Sequence, residues 1–331
     1  MDRNGDTLGI VLFQLGGPDS LDAVEPFLVN LFSDPDIIDF PFAWVARGFL
    51  ARAIARRRSA GVRENYHLIG GKSPILEITR RQASALEESL NRHLDAKVVI
   101  AMRYWAPFTD TAIDELLAHR ISRVVLLPLY PHYSKVTTGS SMNEWNRSLA
   151  RRRLNHFEVS LVREYGTHPL YVEALSRRID ETLARFPGER RGGVHILFSA
   201  HGTPESLVRK GDPYRAQIEQ TVRRLMEYRG YDRSHHLSFQ SRVGPQKWLE
   251  PFTVDMVRRL GRAGVKEVAL VPVAFTSDHI ETLHGLNILV RRIAEEAGIQ
   301  QFEVAESLND SPKFIETLSD LVITSVAANR T

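Results

Sequence analysis

The chain has 331 residues, 43 Lys and Arg against 40 Asp and Glu, a formal net charge of +3 and no cysteine. Without thiols it forms no disulfide, no cysteine-ligated zinc or iron–sulfur centre and no thiol nucleophile. Its arginine runs, such as Arg56-Arg57-Arg58 and Arg151-Arg152-Arg153, lack interleaved aromatics, so they read as solvated helix faces and exclude a nucleic-acid footprint.

The polar start Met1-Asp2-Arg3-Asn4-Gly5-Asp6 lacks the apolar core of a signal peptide, and a cytoplasmic location is expected. Residues 8–15 then read as a buried strand ending at Gly16-Gly17-Pro18. In residues 41–66, Phe42, Trp44, Val45, Phe49, Leu50 and Ile54 alternate with Arg47, Arg52 and Arg56 to Arg58. This is either an amphipathic helix packed on the body or an apolar lip with a basic rim, suited to a membrane surface or a flat hydrophobic ligand. Further on, helices are expected at 73–94, 109–119, 168–185, 216–229, 253–263 and 280–296. Strands are expected at 96–102, 123–128, 157–162, 194–199, 236–240, 267–273 and 301–304. Alternating strands and helices argue for parallel sheets covered by helices. No stretch approaches the ~18 apolar residues of a membrane span.

The chain repeats itself. Pro107-Phe108-Thr109 recurs as Pro251-Phe252-Thr253, and Val124-Val125-Leu126-Leu127-Pro128 as Val268-Ala269-Leu270-Val271-Pro272, both at an offset of 144 positions. The expected fold class is therefore α/β, with two similar Rossmann-like halves, each a parallel sheet flanked by helices. Residues 1–165 form the first half, with the insert at 41–66, and residues 166–331 the second, with the candidate metal site. Neither GxGxxG nor GxxxxGK[ST] spacing occurs, so the topology does not license a nucleotide site.

Two stretches of the second half concentrate polar groups after apolar strands. Leu197-Phe198-Ser199-Ala200-His201-Gly202-Thr203-Pro204 places His201 at the carboxyl end of a strand, where open α/β sheets keep their ligand sites. It equally fits an ordinary strand–turn–helix with a satisfied histidine. Phe275-Thr276-Ser277-Asp278-His279-Ile280-Glu281 has the Asp278/Glu281 spacing of a capping box. Its other reading brings Glu281 beside His201, since an imidazole and a carboxylate together suit a borderline ion such as Fe2+ and leave positions open for substrate.

These two stretches resemble signatures of the ferrochelatase family. So do Leu15-Gly16-Gly17-Pro18, Ile69-Gly70-Gly71-Lys72-Ser73-Pro74, Met102-Arg103-Tyr104, Pro128-Leu129-Tyr130-Pro131-His132-Tyr133-Ser134 and residues 240–249, in order over about residues 9–320. The resemblance implies a chelatase that inserts Fe2+ into a porphyrin and releases two protons, with iron as substrate and no prosthetic group. It implies that His201 and Glu281 bind the iron and handle protons. Leu15, Tyr133 and Trp248 match positions near the macrocycle, and Tyr66, Lys72, Ser73, Arg103 and Tyr104 are weaker candidates for its walls or carboxylates. The apolar and basic residues of 41–66 are expected to attach the chain reversibly to an anionic membrane, on the inner face of the cell membrane.

The chain departs from the family pattern in two places. Gly285 and Leu289 stand where many relatives carry acidic residues beyond Glu281, leaving His284 or Asp278 as candidates on an iron route. His67 and Leu68 stand where some relatives have an arginine for a propionate. Protoporphyrin IX is the expected substrate: Leu15 replaces the tyrosine that coproporphyrin enzymes tend to carry, and residues 31–36 are acidic rather than basic. Coproporphyrin III, or cobalt or nickel in another tetrapyrrole, are the alternatives. A haem carrier would need no base beside its metal ligand.

Overall fold

The computed structural model describes residues 7–37, 43–242 and 246–328, with residues 43–46 described by backbone alone. The polar start at 1–6, Pro41, Phe42, Val243-Gly244-Pro245 and the side chains of Trp44 and Val45 lie outside the described residues.

In chain order the elements are β1 (Leu8–Gln14), α1 (Val24–Ser33), α2 (Ala43–His67), α3 (Ile75–Leu90), β2 (Ala96–Met102), α4 (Thr109–Ala118), β3 (Arg123–Pro128), α5 (Ser140–Arg152), β4 (Glu158–Leu161), α6 (Pro169–Leu183), β5 (His195–His201), α7 (Glu205–Arg209), α8 (Tyr214–Tyr228), β6 (His235–Gln240), α9 (Thr253–Arg262), β7 (Glu267–Pro272), α10 (Arg291–Glu296), β8 (Gln301–Val304) and α11 (Pro312–Ala328). Wide π-helical turns at Lys135–Gly139 and Glu281–Val290 lead directly into α5 and α10.

The chain divides into two compact units. One runs up to Glu164 and takes in the segment from Asp310 onward; the other is Tyr165–Asn309. Residues 310–328 pack with the first unit, whereas residues 166–331 are expected from sequence as one half. Packing explains the difference. α11 buries Phe314, Ile315, Leu318 and Val322, packs on α3, β3 and β4, and is tied in by a 3.0 Å Arg81–Asp310 ion pair.

The sheets are duplicates. The strand order is β2-β1-β3-β4 in the first unit and β6-β5-β7-β8 in the second, with every pairing parallel. Every residue of β1 and of β7 is buried, as expected for strands covered on both faces. The repeated Pro-Phe-Thr segments do the same work in each unit: Met102 N–H donates to the Pro107 carbonyl at 2.8 Å and Phe239 N–H to that of Pro251 at 2.9 Å. α4 and α9 then begin at the matching Thr109 and Thr253.

The 25-residue α2 lies between β1 and β2, with no counterpart of that length between β5 and β6. Ala51, Ala55 and Ser59 are buried, a helical stripe of small residues that lets α2 lie close on α1. Phe49 is 78% exposed, and Arg52, Arg56 and Arg57 are exposed as well. Residues 47–66 thus pack on the body through one stripe while Phe49 and several arginines face outward. Among the described residues no helix is long and apolar enough to cross a membrane.

Gly261 on α9 faces the turn after α10, where a Cβ would collide with the Ala297 carbonyl. Backbone cannot yield as a side-chain tip can. Gly261→Ala should cost about 1–3 kcal/mol and lower the thermal midpoint by several degrees, with secondary structure retained by circular dichroism.

Candidate active site

The second unit supplies a histidine–carboxylate pair. β5 and β7 are neighbours in its sheet, so the loops leaving their carboxyl ends open on the same edge. β5 runs two residues further than expected, making His201 its last residue. The Tyr214 hydroxyl donates to the His201 carbonyl at 3.0 Å. At Gly202 a Cβ would meet the Gln240 carbonyl at 2.7 Å, so only glycine lets the chain leave the strand so close to β6. Beyond it, Leu249 N–H donates to the Thr203 carbonyl and Glu205 N–H to that of Lys247, both at 3.0 Å. Trp248 pairs with Pro204 and packs beside Gly202.

Glu281 opens the π-helical turn that follows β7. Its Oε2 lies 2.9 Å from His201 Nδ1 and accepts from Gln240 Nε2 at 3.1 Å. The capping-box alternative does not form. Glu281 reaches across to β5 and β6 instead of to backbone N–H groups, and Asp278 is engaged elsewhere. The Asp278 carboxylate accepts from Thr282 Oγ1 at 2.9 Å, Asn309 Nδ2 at 2.8 Å and Ser307 N–H at 3.3 Å. Those bonds also remove Asp278 as an open ligand on an iron route. His284 is half-buried, and burial holds its pKa below the ordinary histidine value.

The pair fixes its own protonation pattern. An ionised carboxylate only accepts, so Nδ1 of His201 carries the proton and donates it to Glu281. In the neutral imidazole Nε2 then keeps its lone pair. Burial opposes the His201 cation, but the charge and hydrogen bond of Glu281 outweigh it and raise the imidazole pKa. Burial likewise opposes the Glu281 anion, while His201, the nearby His279 and the Gln240 amide together lower its pKa. The side chains keep 39% and 27% of their surface open, so ligand can approach. Among the described residues no three His, Asp or Glu side chains gather as a closed metal site.

The first unit carries the other candidates, and here the structure shows what sequence missed. Asp34, 1% exposed at its side chain, follows α1. Its Oδ2 accepts from the Tyr104 hydroxyl at 2.6 Å, the Ser140 hydroxyl at 2.6 Å and Arg103 at 2.8 Å. Burial alone would raise its pKa, but these donors and the Arg103 charge hold it low. Tyr104 N–H in turn donates to the Leu15 carbonyl at 3.0 Å. Arg103 and Tyr104 are thus brought together as supports of the Leu15 loop, and Arg103 is not a free cation. Asp36 pairs with Arg147 at 2.8 Å. The acidity of residues 31–36 therefore serves internal pairing and carries no information about substrate charge. The sequence signal was available: Asp34-Pro35-Asp36 is an acidic pair directly after an apolar helix.

Tyr66 is buried, and its carbonyl accepts from Gly71 N–H at 2.8 Å. Ser73 is also buried and lies against Gly17, where a Cβ would come within 2.6 Å of it. Lys72 is paired with Glu77 at 2.5 Å. Leu15 and Tyr133 remain half-buried after β1 and β3.

Duplicated parallel sheets, with a carboxylate-held histidine at one strand end, define a chelatase-type α/β enzyme. Solved structures share this fold: SirB from Bacillus subtilis with Fe3+ matches with a TM-score of 0.58 at 11% identity, over 98% of this chain and 97% of that one. DR2241 from Deinococcus radiodurans, described as similar to chelatases, matches at 0.54 and 17% identity, over 98% of this chain and 55% of that one. The ferrochelatase family model matches residues 7–326. Ferrochelatases of Geotalea uraniireducens and Aquifex aeolicus are 48% and 45% identical, over 96% and 95% of this chain and 98% of each relative. The chain belongs to the ferrochelatase family, and its activity is metal–porphyrin chelation of that type.

Removing the Glu281 charge should free the imidazole to deprotonate sooner. By NMR titration His201 should show a pKa above the ordinary ~6.5 in the parent and a lower one in Glu281→Gln. Equal values in the two proteins would show that the pair is not electrostatically coupled.

Proposed function

We propose that this chain inserts Fe2+ into protoporphyrin IX, giving protohaem and two protons, and that His201 and Glu281 carry the chemistry. The observation that supports this most directly is the 2.9 Å bond between His201 Nδ1 and Glu281, which leaves Nε2 of the neutral imidazole as its acceptor. A free-base porphyrin loses two pyrrole N–H protons as the metal enters, and iron takes their place on four nitrogens. His201 Nε2 accepts a pyrrole proton, and Glu281 stabilises the imidazolium that forms. Between turnovers the same Nε2 and the Glu281 Oε1 are donors suited to the incoming iron. Each proton then passes to solvent through the open side of the pair. Iron is substrate here, and the reaction needs no prosthetic group.

Of the macrocycle candidates, Leu15, Tyr133 and Trp248 are assigned direct contact. Leu15 and Tyr133 are the half-buried side chains of the first unit's carboxyl edge, and Trp248 packs on the loop leaving His201. Tyr66, Ser73, Arg103 and Tyr104 shape the wall from behind. Protoporphyrin is preferred to coproporphyrin III because Leu15 offers an apolar face, and Lys72 and Arg103 are each already paired with a carboxylate. Additional propionates would each need a cation beyond these two.

The exposed face of α2 is assigned to an anionic membrane, from the cytoplasmic side. Phe49 and Leu50 would enter the interface, and the arginines would meet headgroups. A groove of about 1040 Å3 beside this face is lined by apolar Pro26, Val29 and Phe49, by basic Arg52, Arg56 and Arg57, and by Asp22 and the Glu25–Arg63 pair. Basic groups thus outnumber acidic ones beside its apolar residues, as a surface for anionic lipid requires.

Anaerobic mixing of the protein with Fe2+ and protoporphyrin IX should change the porphyrin spectrum to that of protohaem over many turnovers. His201→Ala should abolish turnover and retain porphyrin binding; insertion within a few-fold of the parent would make His201 structural. Under the same conditions kcat/KM should favour protoporphyrin IX over coproporphyrin III, and the reverse order would overturn the substrate assignment. Vesicles containing anionic lipid should co-sediment the protein at low salt, and Phe49→Ser with Arg56→Ser should weaken this about tenfold, since each surface arginine contributes ~1 kcal/mol near such a membrane.

A further inference from the structure

We propose that Arg163, held over the ring of Tyr133, is the residue that recognises a carboxylate of the porphyrin. This rests on the porphyrin reading above and extends it from the flat ring to its charged side chains.

The geometry begins at the sheet. β4 pairs with β3 up to Leu126↔Leu161, and Val162 N–H adds one more bond, to the Leu126 carbonyl at 3.0 Å. Val162 is buried. Arg163 is therefore the first residue to leave the sheet, at the same carboxyl edge from which Leu15 and Tyr133 emerge. Its backbone is anchored and its side chain is exposed. The guanidinium carbon sits 4.3 Å from the centre of the Tyr133 ring. Tyr133 is itself confined, since a Cβ at Gly139 would come within 3.3 Å of its hydroxyl.

Neighbouring arginines of this unit are committed to carboxylates. Arg103 is held by Asp34, Arg147 by Asp36 and Glu144, and Arg151 by Asp110 and Glu144. Among the described residues no carboxylate lies within ion-pair distance of Arg163. The 4.3 Å approach to Tyr133 is a cation–π contact, which engages no N–H group in an ion pair, and a guanidinium can meet a carboxylate with two parallel bonds. A guanidinium already resting on a ring also loses less rotamer freedom when it binds. An exposed, pre-oriented cation on the aromatic residue assigned to the macrocycle is thus placed for a carboxylate on the macrocycle's rim.

The test compares protoporphyrin IX with its dimethyl ester, which keeps the ring and removes both charges. Affinity is read by fluorescence titration without metal, in one detergent, for the parent, Arg163→Ala and Arg163→Gln. The free acid should bind each variant about tenfold more weakly than it binds the parent, and the ester should bind all three alike. In turnover with the free acid, KM should rise in proportion and kcat should stay within about twofold. Arg163→Lys should recover part of the affinity, since it restores charge without the planar fork. Acid and ester affinities that fall together, or an acid affinity that does not fall, would overturn the assignment of Arg163. A parent protein that binds neither porphyrin would instead overturn the porphyrin reading beneath it.

Discussion

The site depends on one hydrogen bond, from Nδ1 of a strand-end histidine to a carboxylate delivered by the next strand over. His201 sits where β5 ends, and Glu281 where the π-helical turn after β7 begins. Because β5 and β7 are adjacent, the 2.9 Å bond follows from the sheet order. The carboxylate fixes the tautomer and raises the basicity of the ring. Gln240, from the strand on the other side of β5, holds the same carboxylate oxygen. Three neighbouring strands thus converge on one imidazole, and none of the three contributions is local in sequence.

Duplication explains how one chain comes by two such edges with different uses. Both sheets have the same strand order and the same Pro-Phe-Thr crossover bonds. In the second unit the edge carries the titratable pair. In the first it carries Leu15 and Tyr133, steadied by a buried ion network centred on Asp34. A buried carboxylate with three donors is rigid and costly to disrupt, which suits a support rather than a reacting group.

Much of this was legible in the sequence. Apolar runs located the central strands most plainly, because strands buried on both faces, such as β1 and β7, leave an unbroken hydrophobic signal, whereas the edge strand β4 is exposed in part. The repeated segments revealed the duplication, and motif resemblance singled out His201 and Glu281. Three things were hidden. α11 joins the first unit because of where its apolar face packs, which periodicity cannot specify. Asp34 was read by its charge alone, whereas its role depends on Arg103, Tyr104 and Ser140, far away along the chain. The spacing of Asp278 and Glu281 suggested a cap, because spacing does not reveal that a side chain has a stronger partner across the sheet.

Glu281 lies where it can set the proton affinity of His201, the residue proposed above as the base. The most direct test is the pH dependence of kcat/KM for metal insertion in the parent and in Glu281→Gln. Activity should rise with pH as His201 loses its proton, through an apparent pKa above the ordinary ~6.5. In Glu281→Gln the ascending limb should move to lower pH, while the plateau falls by about a hundredfold or more. A limb that stays in place, with the plateau unchanged, would contradict the account.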